Sequence, residues 1–179
     1  MGFFRLQAEY FDGAVKVIKP SDPIRDDRGF FAPEYREDEF RSFGIPTEFV
    51  QDNYSVSRKH VVRGLHFQLW PPMGKLMRVT SGSAFLVAVD LRPGPTLLKW
   101  IGVLATPGVH VWAPAEFARG FCALKDNTEV RYKCTALFNP EEDKSIRWND
   151  PTIGVEWPTK KPILSDRDKN APCINAALL

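Results

Sequence analysis

Short apolar runs, each closed by glycine, proline or another turn former, recur along the chain, and no amphipathic helical period persists long enough to compete with them. That pattern restricts the fold to one with many strands. Its clearest instance is Lys75-Leu76-Met77-Arg78-Val79-Thr80, a turn at Ser81-Gly82-Ser83, and a second run from Ala84 to Leu91 that stops at Arg92-Pro93-Gly94-Pro95, which reads as a hairpin. Glu129 to Phe138 alternates strictly. Val130, Tyr132, Cys134, Ala136 and Phe138 take one face, and Glu129, Arg131, Lys133 and Thr135 the other. Tyr132 is thereby assigned to a buried side. Further strands are expected at Val15 to Ile18, Phe49 to Tyr54, Val61 to Gln68, Lys99 to Leu104 and Val109 to Trp112. Helices are confined to Glu37 to Phe43, ahead of Gly44-Ile45-Pro46, and to Ser165 to Lys169. With no repeat and no linker, residues 1–179 read as a single all-β domain with a short C-terminal tail, a sandwich or barrel.

Charge and cysteine usage exclude several function classes. Lysine and arginine total 24 against 22 acidic residues, for a net +2, and no basic block stands out. A nucleic-acid or membrane-surface partner is therefore not expected. A few well-placed arginines still suffice for a local anion pocket. Cys122, Cys134 and Cys173 are odd in number, widely spaced and without a CxxC pair, which suits a reducing compartment. Glu9 interrupts the N-terminal residues where a signal peptide needs an apolar core, and no run approaches a membrane span. The expected location is cytoplasmic.

Cofactor signatures are missing as well. The chain contains neither GxGxxG after a strand nor GxxxxGK[ST], and its three histidines, His60, His66 and His110, form no HxH or HExxH pair. Neither a redox cofactor nor a metal is expected.

Several residues invite a chemical reading beside a plain one. His66 lies on an expected strand face with Gly64 and Gln68, where the glycine leaves room for a ligand. It is either a base or a hydrogen-bonded core histidine. Lys75, after the turn Trp70-Pro71-Pro72-Met73-Gly74, is either a solvated strand end or an ammonium aimed at developing negative charge. Arg28 and Arg63, each followed by glycine, are turn residues or phosphate donors. Asp168 completes Ser165-Asp166-Arg167-Asp168, a helix capping box. Composition and spacing reach a β-rich domain able to bind a small anion, and stop there.

In order along the chain, these segments resemble the dTDP-4-dehydrorhamnose 3,5-epimerase family. The resemblance runs through Asp27-Arg28-Gly29-Phe30-Phe31, Phe49-Val50-Gln51-Asp52-Asn53, Arg63-Gly64-Leu65-His66-Phe67-Gln68, Gly74-Lys75-Leu76, Val87-Ala88-Val89-Asp90-Leu91-Arg92, Tyr132-Lys133-Cys134-Thr135, Ile146-Arg147-Trp148-Asn149-Asp150-Pro151 and Leu164-Ser165-Asp166-Arg167-Asp168. It implies a cupin-type β jelly roll, a homodimer, and a nucleotide-linked 4-keto-6-deoxy sugar as substrate, worked on without metal or redox cofactor. By the same resemblance His66 is the base, Asp168 its carboxylate partner, Lys75 the cation at the enolate oxygen and Tyr132 the acid on the opposite face. Arg28, Phe31, Glu34, Gln51, Asn53, Arg63, Arg119 and Phe138 fall at substrate-binding positions.

The chain departs from the family pattern at four places. Phe117-Ala118-Arg119-Gly120-Phe121 carries arginine where histidine is usual, Leu86 replaces an aspartate, Phe138 a tyrosine, and His60 a small residue. Arginine cannot serve as a base at neutral pH, and losing an aspartate removes a negative charge, so the site is expected to be more cationic. Inversion at carbon 3 only or carbon 5 only, on a modified deoxysugar, is one consequence. Pairing of Arg119 with Glu116 or Asp126, leaving the reaction unchanged, is the other. A 3,4-ketoisomerase, a non-catalytic sugar-nucleotide-binding jelly roll, and a metal-dependent cupin dioxygenase or isomerase, which the histidine count disfavours, are the remaining alternatives.

Overall fold

The computed structural model describes residues 2–174. Its elements are β1 (Phe4–Tyr10), β2 (Val15–Pro20), β3 (Ile24–Asp26), β4 (Gly29–Phe31), α1 (Glu37–Ser42), β5 (Gln51–Ser57), β6 (Val62–Gln68), β7 (Lys75–Ser81), β8 (Ala84–Asp90), β9 (Trp100–Ala105), β10 (His110–Ala113), β11 (Phe117–Ala123), β12 (Thr128–Cys134), β13 (Asp143–Ser145) and α2 (Asp166–Lys169). They form a six-stranded sheet in the order β1-β2-β10-β7-β12-β5, a five-stranded sheet in the order β13-β6-β11-β8-β9, and a separate β3-β4 ribbon. From β5 onward every connection except β8 to β9 carries the chain from one large sheet to the other. This is the cupin-type jelly roll.

That wrapping overturns the hairpin expected at residues 75–91. β7 pairs with β10 and β12, and β8 with β9 and β11, so the turn at Ser81-Gly82-Ser83 steps between sheets. The physical reason lies in the core. Met77 and Val79 of β7 and Leu86 and Ala88 of β8 all sit in the same inter-sheet cluster, which two strands can share only by facing each other from opposite layers.

Both sheets are covered on their outer faces too. α1 and the N-terminal strand place Phe4, Phe40 and Ile45 over Leu76 and Trp112 of the six-stranded sheet. The C-terminal segment lays Ile146, Ile153 and Trp157 against Val87, Val89, Ala118 and Cys122 of the five-stranded one. β11 is consequently buried along its whole length. A strand buried on both faces loses the alternation that betrays strands in a sequence, and β11 also carries arginine and glycine at its centre, so it was not among the expected strands.

The alternation at 129–138 holds only through Cys134, where β12 ends. Thr135 donates its N–H to the Gly74 carbonyl and accepts the Gly74 N–H on its hydroxyl, which turns the chain away. Phe138 is therefore 52% exposed and not a continuation of the buried face. Among the described residues no helix is long and apolar enough to cross a membrane.

Candidate active site

Strand register brings the polar residues together. Cys134 pairs with both Lys75 and Gln51, and Tyr132 with both Met77 and Asn53, so two rows cross β7, β12 and β5 on one face. Met77 belongs to the inter-sheet core, which fixes that face as the inward one. On the opposite sheet Arg119 pairs with His66 and Ala88, and Phe121 with Arg63 and Leu86. Ala88, Leu86 and Phe121 are core residues as well, so His66, Arg63 and Arg119 also face inward. Between the sheets, apolar packing thus gives way to a cleft lined by Gln51, Asn53, Arg63, His66, Lys75 and Tyr132, all at least partly accessible.

Arg63 and His66 share a face although three residues apart, because the register shifts between the Arg119 and Phe121 pairings. Such a bulge adds one residue and re-aims the side chain beyond it. It also takes Gly64 off the face of His66, while Gln68, two residues on with no shift in register, keeps that face. A Cβ on Gly64 would stand 2.6 Å from the Gly120 Cα, and its φ is +127°, so this glycine admits the neighbouring strand and not a ligand. Gln68 is buried, donating to the Pro71 and Leu137 carbonyls and accepting the Asn139 N–H; it pins loops.

His66 Nε2 lies 2.5 Å from Asp168 Oδ1. α2 starts as its capping box implies, with the Asp168 N–H donating to Ser165 Oγ, but the carboxylate is committed to the histidine. Burial pushes the Asp168 carboxyl up, and the hydrogen bond and charge of His66, helped by Ser165 and the Gly64 backbone, outweigh it and hold the pKa below the ordinary value. With Nε2 engaged, Nδ1 is the ring nitrogen without a hydrogen bond among the described residues.

Across the cleft, Lys75 Nζ sits 5.2 Å from the centre of the Tyr132 ring. Burial is the main reason that its pKa falls to about 8, with Arg119 adding to the effect and Cys134 and Asp143 opposing it. Burial also raises the Tyr132 phenol, as does Cys134, while Arg63 lowers it. No group among the described residues hydrogen-bonds the Tyr132 hydroxyl. Gln51 donates to Asn53, Asn53 to Cys134 Sγ, and the Phe138 N–H to Gln51, so the amides form a fixed chain at the rim. Arg63 donates to Ser57 Oγ across the open side of the sandwich.

Not every expected site residue lines this cleft. Arg28 is paired with Asp26, its side chain 91% exposed, and Phe31 is also exposed, both on the β3-β4 ribbon. Glu34 bonds Arg78, whose β7 register puts it on the outer face of the six-stranded sheet. Arg119 is buried behind the cleft, and its Nη1 donates to the Ala113 and Pro114 carbonyls, not to Glu116 or Asp126. Leu86 is core, next to Phe121. His60 is an exposed positive-φ residue whose backbone joins Ala123 and Ile163. Asp143 and Arg167, an ion pair between β13 and α2 whose charges reach Lys75, escaped the sequence reading. Only the fold, by setting β13 against α2, brings this pair together. Among the described residues no three His, Cys, Asp or Glu side chains converge as a metal site would require.

The profile of the family described as dTDP-4-dehydrorhamnose 3,5-epimerase matches residues 12–176. The protein of that name from Methanothermobacter thermautotrophicus is 43% identical over 176 residues, covering 95% of this chain and 94% of the relative. That from Neisseria gonorrhoeae is 46% identical over 158 residues, and there the match takes in 86% of this chain but 48% of the longer protein. A crystal structure of the Legionella pneumophila enzyme in complex with dTDP-4-keto-L-rhamnose superposes with a TM-score of 0.89 at 37% identity, covering 98% of this chain and 97% of that one. The jelly roll, its paired histidine and carboxylate, and these matches over nearly the whole length agree: the chain belongs to the dTDP-4-dehydrorhamnose 3,5-epimerase family.

Proposed function

We propose that this protein is an isomerase that inverts carbon 3, carbon 5 or both of a dTDP-linked 4-keto-6-deoxyhexose. The observation that carries the reading is His66 on one sheet, paired with Asp168 of α2, facing Tyr132 and Lys75 on the other sheet. A ketone at carbon 4 acidifies the C–H bonds on either side. His66 Nδ1 takes one proton, the C–H electrons become the C=C bond of an enolate, and the carbonyl π electrons move onto oxygen. Asp168 stabilises the resulting imidazolium, and Lys75 supplies positive charge to the oxygen. Tyr132 then donates its hydroxyl proton to carbon from the other face, and solvent returns a proton to the phenolate and removes one from the histidine. Inversion needs groups on both faces, which favours an epimerase over a 3,4-ketoisomerase.

The amides of Gln51 and Asn53 and the guanidinium of Arg63 are the proposed hold on the sugar nucleotide, with Phe138 at the rim. Arg28, Phe31 and Glu34 do not reach the cleft of their own chain. The β3-β4 ribbon exposes Ile24, Phe30 and Phe31, and pairing with a second copy gives these side chains a partner. A cytoplasmic homodimer is the proposed form, in keeping with three free cysteines.

The test is to incubate the protein with dTDP-4-dehydro-6-deoxyglucose in heavy water and follow the product by NMR. Deuterium at carbons 3 and 5 is the expected result. Deuterium at one carbon identifies a mono-epimerase, as the similar Streptomyces bikiniensis structure, a 3'-monoepimerase at 29% identity and TM-score 0.82, is described. No incorporation above an enzyme-free control defeats the proposal in favour of a binding-only jelly roll.

A further inference from the structure

Arg119 is only 3% exposed and spans the sandwich, its Nη1 tied to the Ala113 and Pro114 carbonyls of the opposite layer. Ala113 is the register partner of Lys75, and Arg119 itself is the register partner of His66, so the guanidinium reaches from the strand beside His66 to the strand beside Lys75. Its Nε and Nη2 are shut off from solvent and meet no acceptor among the described residues. Leaving buried charged donors unpaired is costly, and no nearby carboxylate takes them up, Leu86 standing where the family pattern has an aspartate. A merely structural arginine would be expected to satisfy its fork.

Resting on the reading above, we infer that Arg119 is a positioning residue for Lys75: an unneutralised cation locked behind the lysine that reinforces the positive charge presented to the oxygen at carbon 4. The groups facing Lys75 are Arg119 on β11, Cys134 and Tyr132 on β12, Asp143 on β13 and Arg167 on α2; β10 contributes backbone alone. Burial brings the Arg119 pKa down to about 10, which leaves it charged through the neutral range. Lys75, pushed down to about 8 by burial and by that neighbour, then sheds its own charge in mildly alkaline solution while Arg119 keeps its charge.

Two effects of removing Arg119 therefore run in opposite directions. The enolate loses a cation, so turnover falls. Lys75 loses a like charge, so its titration moves up. The experiment measures kcat, KM and the alkaline limb of kcat for wild type and for Arg119→Met, Arg119→Gln, Arg119→His and Arg119→Lys. The neutral variants are expected to lose about 10- to 100-fold in kcat with KM within about threefold, and to shift the limb upward by about half a unit or more. Arg119→Lys is expected to recover most of the turnover and to leave the limb near its wild-type position. Wild-type kcat and limb in any folded neutral variant overturn the inference, as does a limb that moves equally in Arg119→Lys. Failure of all three neutral variants to fold, with Arg119→Lys folded and unchanged, assigns the arginine to structure and also overturns it. Should wild type itself exchange no proton of the sugar, the proposed function falls first; the inference falls separately when wild type exchanges and the variants match it.

Discussion

His66 Nε2 and Asp168 Oδ1 lie 2.5 Å apart although 102 residues separate them in sequence. The strand that bears the histidine and the helix that bears the aspartate are joined by this bond at the wall of the cleft. Because the helix cap uses the Asp168 backbone and the dyad uses its side chain, the two roles are separable. Asp168→Asn is expected to keep the circular dichroism of the wild type and to lower kcat by about 10²- to 10³-fold, and His66→Ala to abolish deuterium exchange. Unchanged turnover in Asp168→Asn would remove the aspartate from the mechanism.

Tyr132 faces that dyad from the other sheet, with no hydrogen bond from the described protein groups holding its hydroxyl. Tyr132→Phe keeps the ring against Lys75 and deletes only the proton donor. Deuterium wash-in at the substrate carbon should stay within about tenfold of wild type, and inverted product should fall by about 10²-fold or more. NMR of one reaction mixture reads both, and equal losses would assign the second proton to another group.

Gly64 leaves no room for a side chain between β6 and β11. A methyl group there meets the Gly120 Cα at 2.6 Å and the Arg119 carbonyl at 2.9 Å, both backbone atoms that cannot swing aside. Gly64→Ala should therefore destabilise the fold by about 2 kcal/mol or more, seen as a lower urea midpoint at unchanged slope.

His110 lies outside the cleft, buried among Phe4 and Phe40, with Nδ1 donating to the Gly108 carbonyl. Burial chiefly, and Arg78 next, push its pKa down to about 4 from the ordinary 6.5. The unfolded chain takes up a proton below pH 6.5 that the folded state refuses until about 4. Stability attributable to this group is hence intact above 6.5, is lost as pH falls through that window, and totals about 3 kcal/mol. Urea midpoints measured between pH 7 and 4 should fall less steeply in His110→Gln than in wild type; parallel curves would refute the assignment.

Much of this was legible in the order of residues. Alternation and turn formers located the strands now numbered β2, β5 to β10 and β12, the Ser165 cap located α2, and the family motifs named His66, Asp168, Lys75 and Tyr132. Local patterns carry such information because a strand must bury one face and a helix must satisfy its first N–H groups, whatever lies around them. What those patterns missed depends on layers. β11 has no alternation because both its faces are covered, and β7 and β8 look like a hairpin because a turn between sheets uses the same glycine as a turn within one.

The sequence by itself determined a strand-rich domain, since apolar period and turn chemistry are local properties, and the order of its motifs, by resemblance to the family, supplied the jelly roll and the histidine expected to transfer a proton. Only the tertiary structure decided which side chains share the cleft. The bulge that aligns Arg63 with His66, the burial of Arg119 behind Lys75, and the outward placement of Arg78, which engages Glu34, all follow from register between strands distant in the chain. Register is settled by how two sheets bury a common core, and no single segment contains that information.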